Sequence, residues 1–135
     1  MGQQQLLLII LGVIIVGIAI AVGISMFASG SVQSNRDGII NDLNNLAANA
    51  YQFRIRPCTM GGGGGNYTGS ACSPATPYTI PTKLRSNENG TYTTSSVAAA
   101  TIGFTATSSQ GYGTVTAVLD STGKLGTFAG THQGN

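Results

Sequence analysis

The chain is 135 residues long and only 7% of them are charged, against roughly 25% in an ordinary soluble domain. Six Lys and Arg against four Asp and Glu leave a net charge of +2, too weak a balance to point to nucleic acid or an acidic surface. One His and four scattered carboxylates provide little material for acid–base or metal chemistry, which argues against an ordinary cytosolic enzyme.

The first charged side chain is Arg36. Before it, residues 6–28 read LLLIILGVIIVGIAIAVGISMFA, in which 19 of 23 positions are apolar and the others are Gly12, Gly17, Gly23 and Ser25. As a helix this run would extend about 35 Å, enough to cross a hydrocarbon core of ~30 Å. Leu, Ile and Val fall on every side, so the helix requires lipid or other apolar helices all round it. A cleaved secretory signal fits poorly: the run is too long, no basic residue precedes it, and no clear small-x-small site closes it. Leu6 stands where a myristoylation pattern needs Ser or Thr.

Helical character continues beyond the apolar run, since no proline occurs before Pro57. Ile39, Leu43, Leu46, Ala50 and Phe53 step by four and three, which predicts an apolar stripe on one face that packs against a sheet. Arg54 and Arg56 suit the negative end of the helix dipole, and Pro57 ends the helix. Gly30 and Gly38 weaken the link between the two halves and make residues 29–35 the expected place for a bend.

Composition changes at Pro57, giving a division into a helix, residues 1–56, and a β-rich head, residues 57–135. The helix subdivides into a membrane or filament-core segment, 1–28, and an amphipathic half, 29–56. Cys58 and Cys72 bracket a run of five glycines, 61–65, read as a flexible loop. A disulfide between them would close that loop; one His and two Cys are too few ligands for zinc. The glycine run also lacks the Lys-Ser/Thr of a phosphate-binding loop. Beyond Pro81, residues 91–95, 98–107, 112–119 and 124–128 read as strands, with turns at 87–90 and 120–123. Val115, Ala117 and Leu119 alternate with Thr114, Thr116 and Val118, so one sheet face is mostly apolar. The fold expected is α+β: one long helix, apolar in its first half and amphipathic in its second, packed on a small antiparallel sheet.

That order of parts resembles the type IV pilins. The likeness covers the helix, residues 1 to about 56, and extends to the passage from Tyr51 through Pro57 and the glycines to Asn66, Tyr67, Thr68 and Gly69. It implies a structural filament subunit, with no cofactor, metal or catalytic residue, held in the cytoplasmic membrane before assembly and displayed afterwards on the cell surface. Its partners would be further copies of itself, a prepilin peptidase and the pilus assembly machinery, with no nucleic acid. The mature N-terminus, methylated in the family, would be Met1, or else Met1 and Gly2 form a very short leader. The sequence departs from the family in two places. Gln3, Gln4 and Gln5 stand where an acid normally pairs with a neighbour's terminal amine, and Val22 replaces a helix-breaking proline. An amide accepts a hydrogen bond from an amine without neutralising it.

On this reading the filament core is made by Met1, Gln5, Leu6, Ile10, Ile14, Gly17, Ala21 and Gly23, the small residues permitting close helix approach. The same glycines, 12 to 23, are where the helix is expected to break in an assembled filament. A single-pass anchored protein with an exported binding domain, or a pseudopilin of a secretion system, remains an open alternative. Tyr51 and Phe53 are read as packing residues rather than electron carriers. His132 is read as part of a frayed, dispensable tail. Asn66 and Asn89 each begin an N-glycosylation sequon, completed by Thr68 and Thr91.

Overall fold

The computed structural model describes residues 2–134. α1 (Gly2–Ile55) comes first and is followed by two 3-10 turns, Cys58–Met60 and Thr82–Leu84. Three strands complete the fold: β1 (Gly90–Val97), β2 (Ile102–Ser108) and β3 (Thr114–Leu119). They form one antiparallel sheet in the order β1-β2-β3. Compactness divides the chain between Ser34 and Asn35, and each part is built on a different principle.

In the first part α1 is helical throughout, including Gly12, Gly17, Gly23 and Gly30. The large apolar side chains from Leu6 to Phe27 are 52–81% exposed. Residues 29–35 are helical without interruption. Each glycine costs about 1 kcal/mol relative to Ala in a helix, but the segment contains no proline, so no main-chain donor of the helix is lost.

In the second part the stripe is covered. Ile39, Leu43, Leu46, Ala47 and Ala50 are buried, and Phe53 is half-buried against the same core. Opposite them lie the inward side chains of the sheet: Tyr92 of β1, Ile102, Phe104 and Ala106 of β2, and Val115, Ala117 and Leu119 of β3. Tyr67, Tyr78 and Ile80 close the core from the connection between helix and sheet. Gly38 serves this packing. A Cβ there would meet the Asn89 side chain at 2.8 Å, so its absence lets the 87–90 turn lie on α1.

The outward sheet face is lined by threonine. Thr91, Thr107 and Thr114 stand in one row across the strands, and Thr93, Thr105 and Thr116 in the next. No charged residue occurs between 91 and 119. β2 begins four residues later than its sequence suggests, because Ala98 N–H donates to Thr101 O at 2.8 Å and closes a turn. The expected strand at 124–128 is also absent. Leu125 bridges Leu119 and Ala129 bridges Thr116, with one extra residue on the tail side that breaks the ladder. The tail nevertheless covers the β3 edge: His132 N–H donates to Thr114 O, and Gln133 N–H to Tyr112 O, both at 2.9 Å.

The five glycines form an ordered cap on α1, which corrects their reading as a flexible loop. A helix ends with four carbonyls lacking intrahelical donors. Here Gly63 N–H donates to Phe53 O and Gly65 N–H to Arg54 O, both at 2.7 Å, and Gly64 N–H donates to Arg56 O at 3.1 Å. Gly61, Gly64 and Gly65 have φ of 74°, 62° and 100°, which side chains resist. The backbone passes so close to itself that a Cβ on Gly63 would overlap the Asn66 carbonyl oxygen. Gly63→Ala should therefore destabilise the protein by about 1–3 kcal/mol, the range for overpacking. Thermal unfolding of the full chain in detergent measures this; an unchanged midpoint would mean that the cap yields freely.

Candidate functional site

The most conspicuous surface is the apolar half of α1. Its most apolar 18-residue window has a mean hydropathy of 3.2 and is unburied, and the helix is long and apolar enough to cross a membrane. Gln5, Leu6, Ile10, Ile14, Gly17, Ala21 and Gly23 are all exposed here, while Met1 lies outside the described residues. Leu6, Ile10 and Ile14 recur every four residues and form a slowly turning ridge. Among the described residues nothing lies within 4 Å of where a Cβ would stand at Gly12, Gly17 or Gly23, apart from the helix's own neighbouring backbone. A surface of this kind can enter lipid or pack on similar helices; it has no chemistry of its own.

Polar groups converge at two places on the second half of α1. The first is Asn35, which stands four residues before Ile39 on the same stripe and is buried. Its Oδ1 accepts from Ser108 Oγ at 2.8 Å and from His132 Nε2 at 3.0 Å, and its Nδ2 donates to Asn89 O at 3.0 Å. Gly134 N–H donates to His132 Nδ1, so the ring is neutral and carries its proton on Nε2. His132 is 3% exposed, with the Tyr112 ring set edge-on at 6.1 Å. The tail is thus an anchored element and not a frayed end. The missed signal was Asn35: a polar residue in register with an apolar stripe implies a buried partner.

The second is Asp42, whose Oδ2 accepts from Asn87 Nδ2, Asn89 Nδ2 and the Tyr92 hydroxyl. Burial alone would raise its carboxyl, but hydrogen bonds from Asn89, Tyr92 and Asn87 outweigh burial and hold it below its ordinary value. Burial, reinforced by the bond to Asp42, pushes the Tyr92 hydroxyl up. Asn87 Oδ1 also accepts from the N–H groups of Asn89 and Gly90 and shapes the turn before β1. Every group in this cluster serves to hold that turn on the helix.

Near the end of α1, Phe53 packs on Tyr78 with centroids 5.5 Å apart, and Tyr78 packs edge-on against Phe104 at 6.4 Å. Burial pushes the Tyr78 hydroxyl up to about 12. Cys58 and Cys72 are joined in a disulfide beside the glycine cap. Two shallow grooves flank residues 76–81; the charged residue lining one is Arg56 and that lining the other is Arg85. Neither groove sets a nucleophile beside a base. Among the described residues no group of three His, Cys, Asp or Glu side chains is placed to hold a metal.

No protein-family model, curated protein or solved structure matches the chain. The long apolar helix, the small antiparallel sheet and the disulfide are consistent with a pilin-like fold.

The Asn35 cluster makes stability depend on pH. Burial, then the nearby Arg36 charge, lowers His132 from its ordinary value of 6.5. The unfolded chain therefore takes up a proton before the folded one does, and stability falls as pH drops below about 6.5 toward the lowered folded value. Melting of the full chain in detergent between pH 7.5 and 5.5 should show this decline, and His132→Gln should flatten it. An equal slope in both proteins would place the titrating group elsewhere.

Proposed function

We propose that the chain is a structural subunit that polymerises through the apolar half of α1 into an extracellular filament resembling a type IV pilus. One observation carries this reading. The stripe from Ile39 to Ala50 is buried against its own sheet, whereas the large side chains from Leu6 to Phe27 are more than half exposed. A surface of that extent must be covered in the working state.

Before assembly the covering is lipid; in the filament it is the same segment of other subunits. Moving from lipid to filament removes little surface from water, so the gain comes from close packing rather than from the hydrophobic effect. Gly17 with Ala21, and Ala19 with Gly23, are small pairs one turn apart that let helix backbones approach. Gln5 offers an amide at the N-terminal end where the family commonly has an acid; there it accepts a hydrogen bond from a neighbour's amine without balancing its charge. The head, with its anchored tail and disulfide, is exported. No step of this requires a cofactor, a metal or a catalytic residue.

The membrane-anchored monomer is the competing outcome, because the same helix is long enough to span a bilayer. Electron microscopy of the purified protein separates the two: filaments with a helical core support assembly, and dispersed particles overturn it. Ile14→Asp sharpens the test. On insertion scales a carboxylate in mid-membrane costs about 2.5–3.5 kcal/mol, and in a polymer every subunit would bring the same charge into one core. We expect Ile14→Asp to abolish filaments while the head stays folded, and Thr107→Asp on the exposed sheet face to shift stability by no more than ~0.5 kcal/mol. Quantified sheared filaments and membrane-retained subunit give the comparison; normal assembly of Ile14→Asp would remove this segment from the core.

A further inference from the structure

Both sequons begin in turns, the second running into β1, yet the structure treats their asparagines oppositely. At the second, Asn89 Nδ2 donates to Asp42 Oδ2 at 2.9 Å, and its backbone oxygen accepts from Asn35 Nδ2 and Ser109 N–H. Its side chain lies against Gly38, where even one added methyl carbon would meet it at 2.8 Å. The amide nitrogen that would carry a sugar is thus committed to a carboxylate and pressed on a helix. Replacing one of its protons by a glycan would break the cluster that holds the 87–90 turn.

The first sequon is arranged for access. Tyr67, its middle residue, is fully buried and donates its hydroxyl proton to Asp120 O at 2.6 Å. With that side chain turned inward, Asn66 and Thr68 are half-exposed, and they converge on one exposed hydroxyl. Asn66 Nδ2 donates to Ser70 Oγ at 3.2 Å and Thr68 Oγ1 to the same atom at 3.1 Å. Both bonds are at the surface, where water replaces Ser70 at little cost. The acceptor amide and the hydroxyl two residues on therefore stand together on one accessible face. The surrounding stretch, residues 57–82, has no charged side chain, so a sugar there would supply the hydration that charges normally provide.

We infer that Asn66 is an N-glycosylation site and that Asn89 is not; the inference rests on the export of the head described above. The donor would be an oligosaccharide linked to a lipid diphosphate. The Asn66 amide nitrogen forms a bond to the anomeric carbon, the bond from that carbon to the diphosphate oxygen breaks, and the diphosphate leaves with the electron pair. The amide proton passes to a base of the transferase, and nothing is oxidised or reduced.

The test is mass spectrometry of the full-length protein isolated from the organism that makes it. Tryptic cleavage at Lys83 and Arg85 separates the two sequons onto different peptides. The Asn66 peptide should carry a glycan mass that is lost in Asn66→Gln and Thr68→Ala but retained in Thr68→Ser; the Asn89 peptide should be bare. Retention in Thr68→Ser distinguishes loss of the sequon from misfolding. A bare Asn66 in surface filaments would overturn this inference and leave the filament reading standing. A glycan on Asn66 of a chain that never assembles would support the inference and overturn that reading. Sugar on Asn89 would refute the selection argued here.

Discussion

The contact between one face of α1 and the inner face of a three-stranded sheet is the constraint on which the head depends. The sheet is small, and its outward side is threonine, so it has a single apolar face to bury. Ile39, Leu43 and Leu46 present three large side chains to that face, each worth roughly 1.5–3 kcal/mol when fully buried. Without the helix the strands would have neither a second layer nor enough apolar surface to offset their ordering entropy. The helix needs the sheet equally, because a one-sided stripe exposed to water is unfavourable.

The remaining features hold that contact in register. The glycine run turns the chain back on the helix end and donates N–H groups to carbonyls that would otherwise be orphaned. The disulfide closes the same loop, its cysteines standing 14 positions apart, and constrains the unfolded chain more than the folded one. Arg54 sets its guanidinium 5.6 Å from the centre of the buried Tyr67 ring, so the helix end, the cap and the core meet there. A segment with five glycines becomes ordered because each N–H finds an acceptor and the missing Cβ atoms of Gly62, Gly63 and Gly64 allow close approaches.

Polar groups do the corresponding work along the helix. Asp42 gathers two donors from the turn before β1 and a third from Tyr92 of β1, and Asn35 links β2, that turn and the tail. Buried polar clusters are costly when incomplete and specific when satisfied. Here they select one register of helix against sheet, which the apolar contacts alone, being non-directional, would fix less sharply. Among the described residues, the large apolar side chains from Leu6 to Phe27 enter no such polar cluster and are more than half exposed.

Local sequence determined the parts that depend on periodicity. The apolar run, the stripe from Ile39 to Phe53, the end of the helix before Pro57 and the alternation around Val115 all follow from side-chain spacing, which a single segment contains in full. The tertiary structure decided what depends on partners distant in sequence. Whether five glycines are loose or ordered turns on where the carbonyls of residues 53, 54 and 56 lie when the chain doubles back. Whether His132 frays or is buried turns on Asn35, 97 residues away, and on an edge of β3 that needs covering. Likewise the two sequons read alike as triplets, and only packing on Gly38 and Asp42 sets Asn89 apart from Asn66. Periodicity is local and additive along the chain; hydrogen-bond partners and close approaches exist only once the chain has folded.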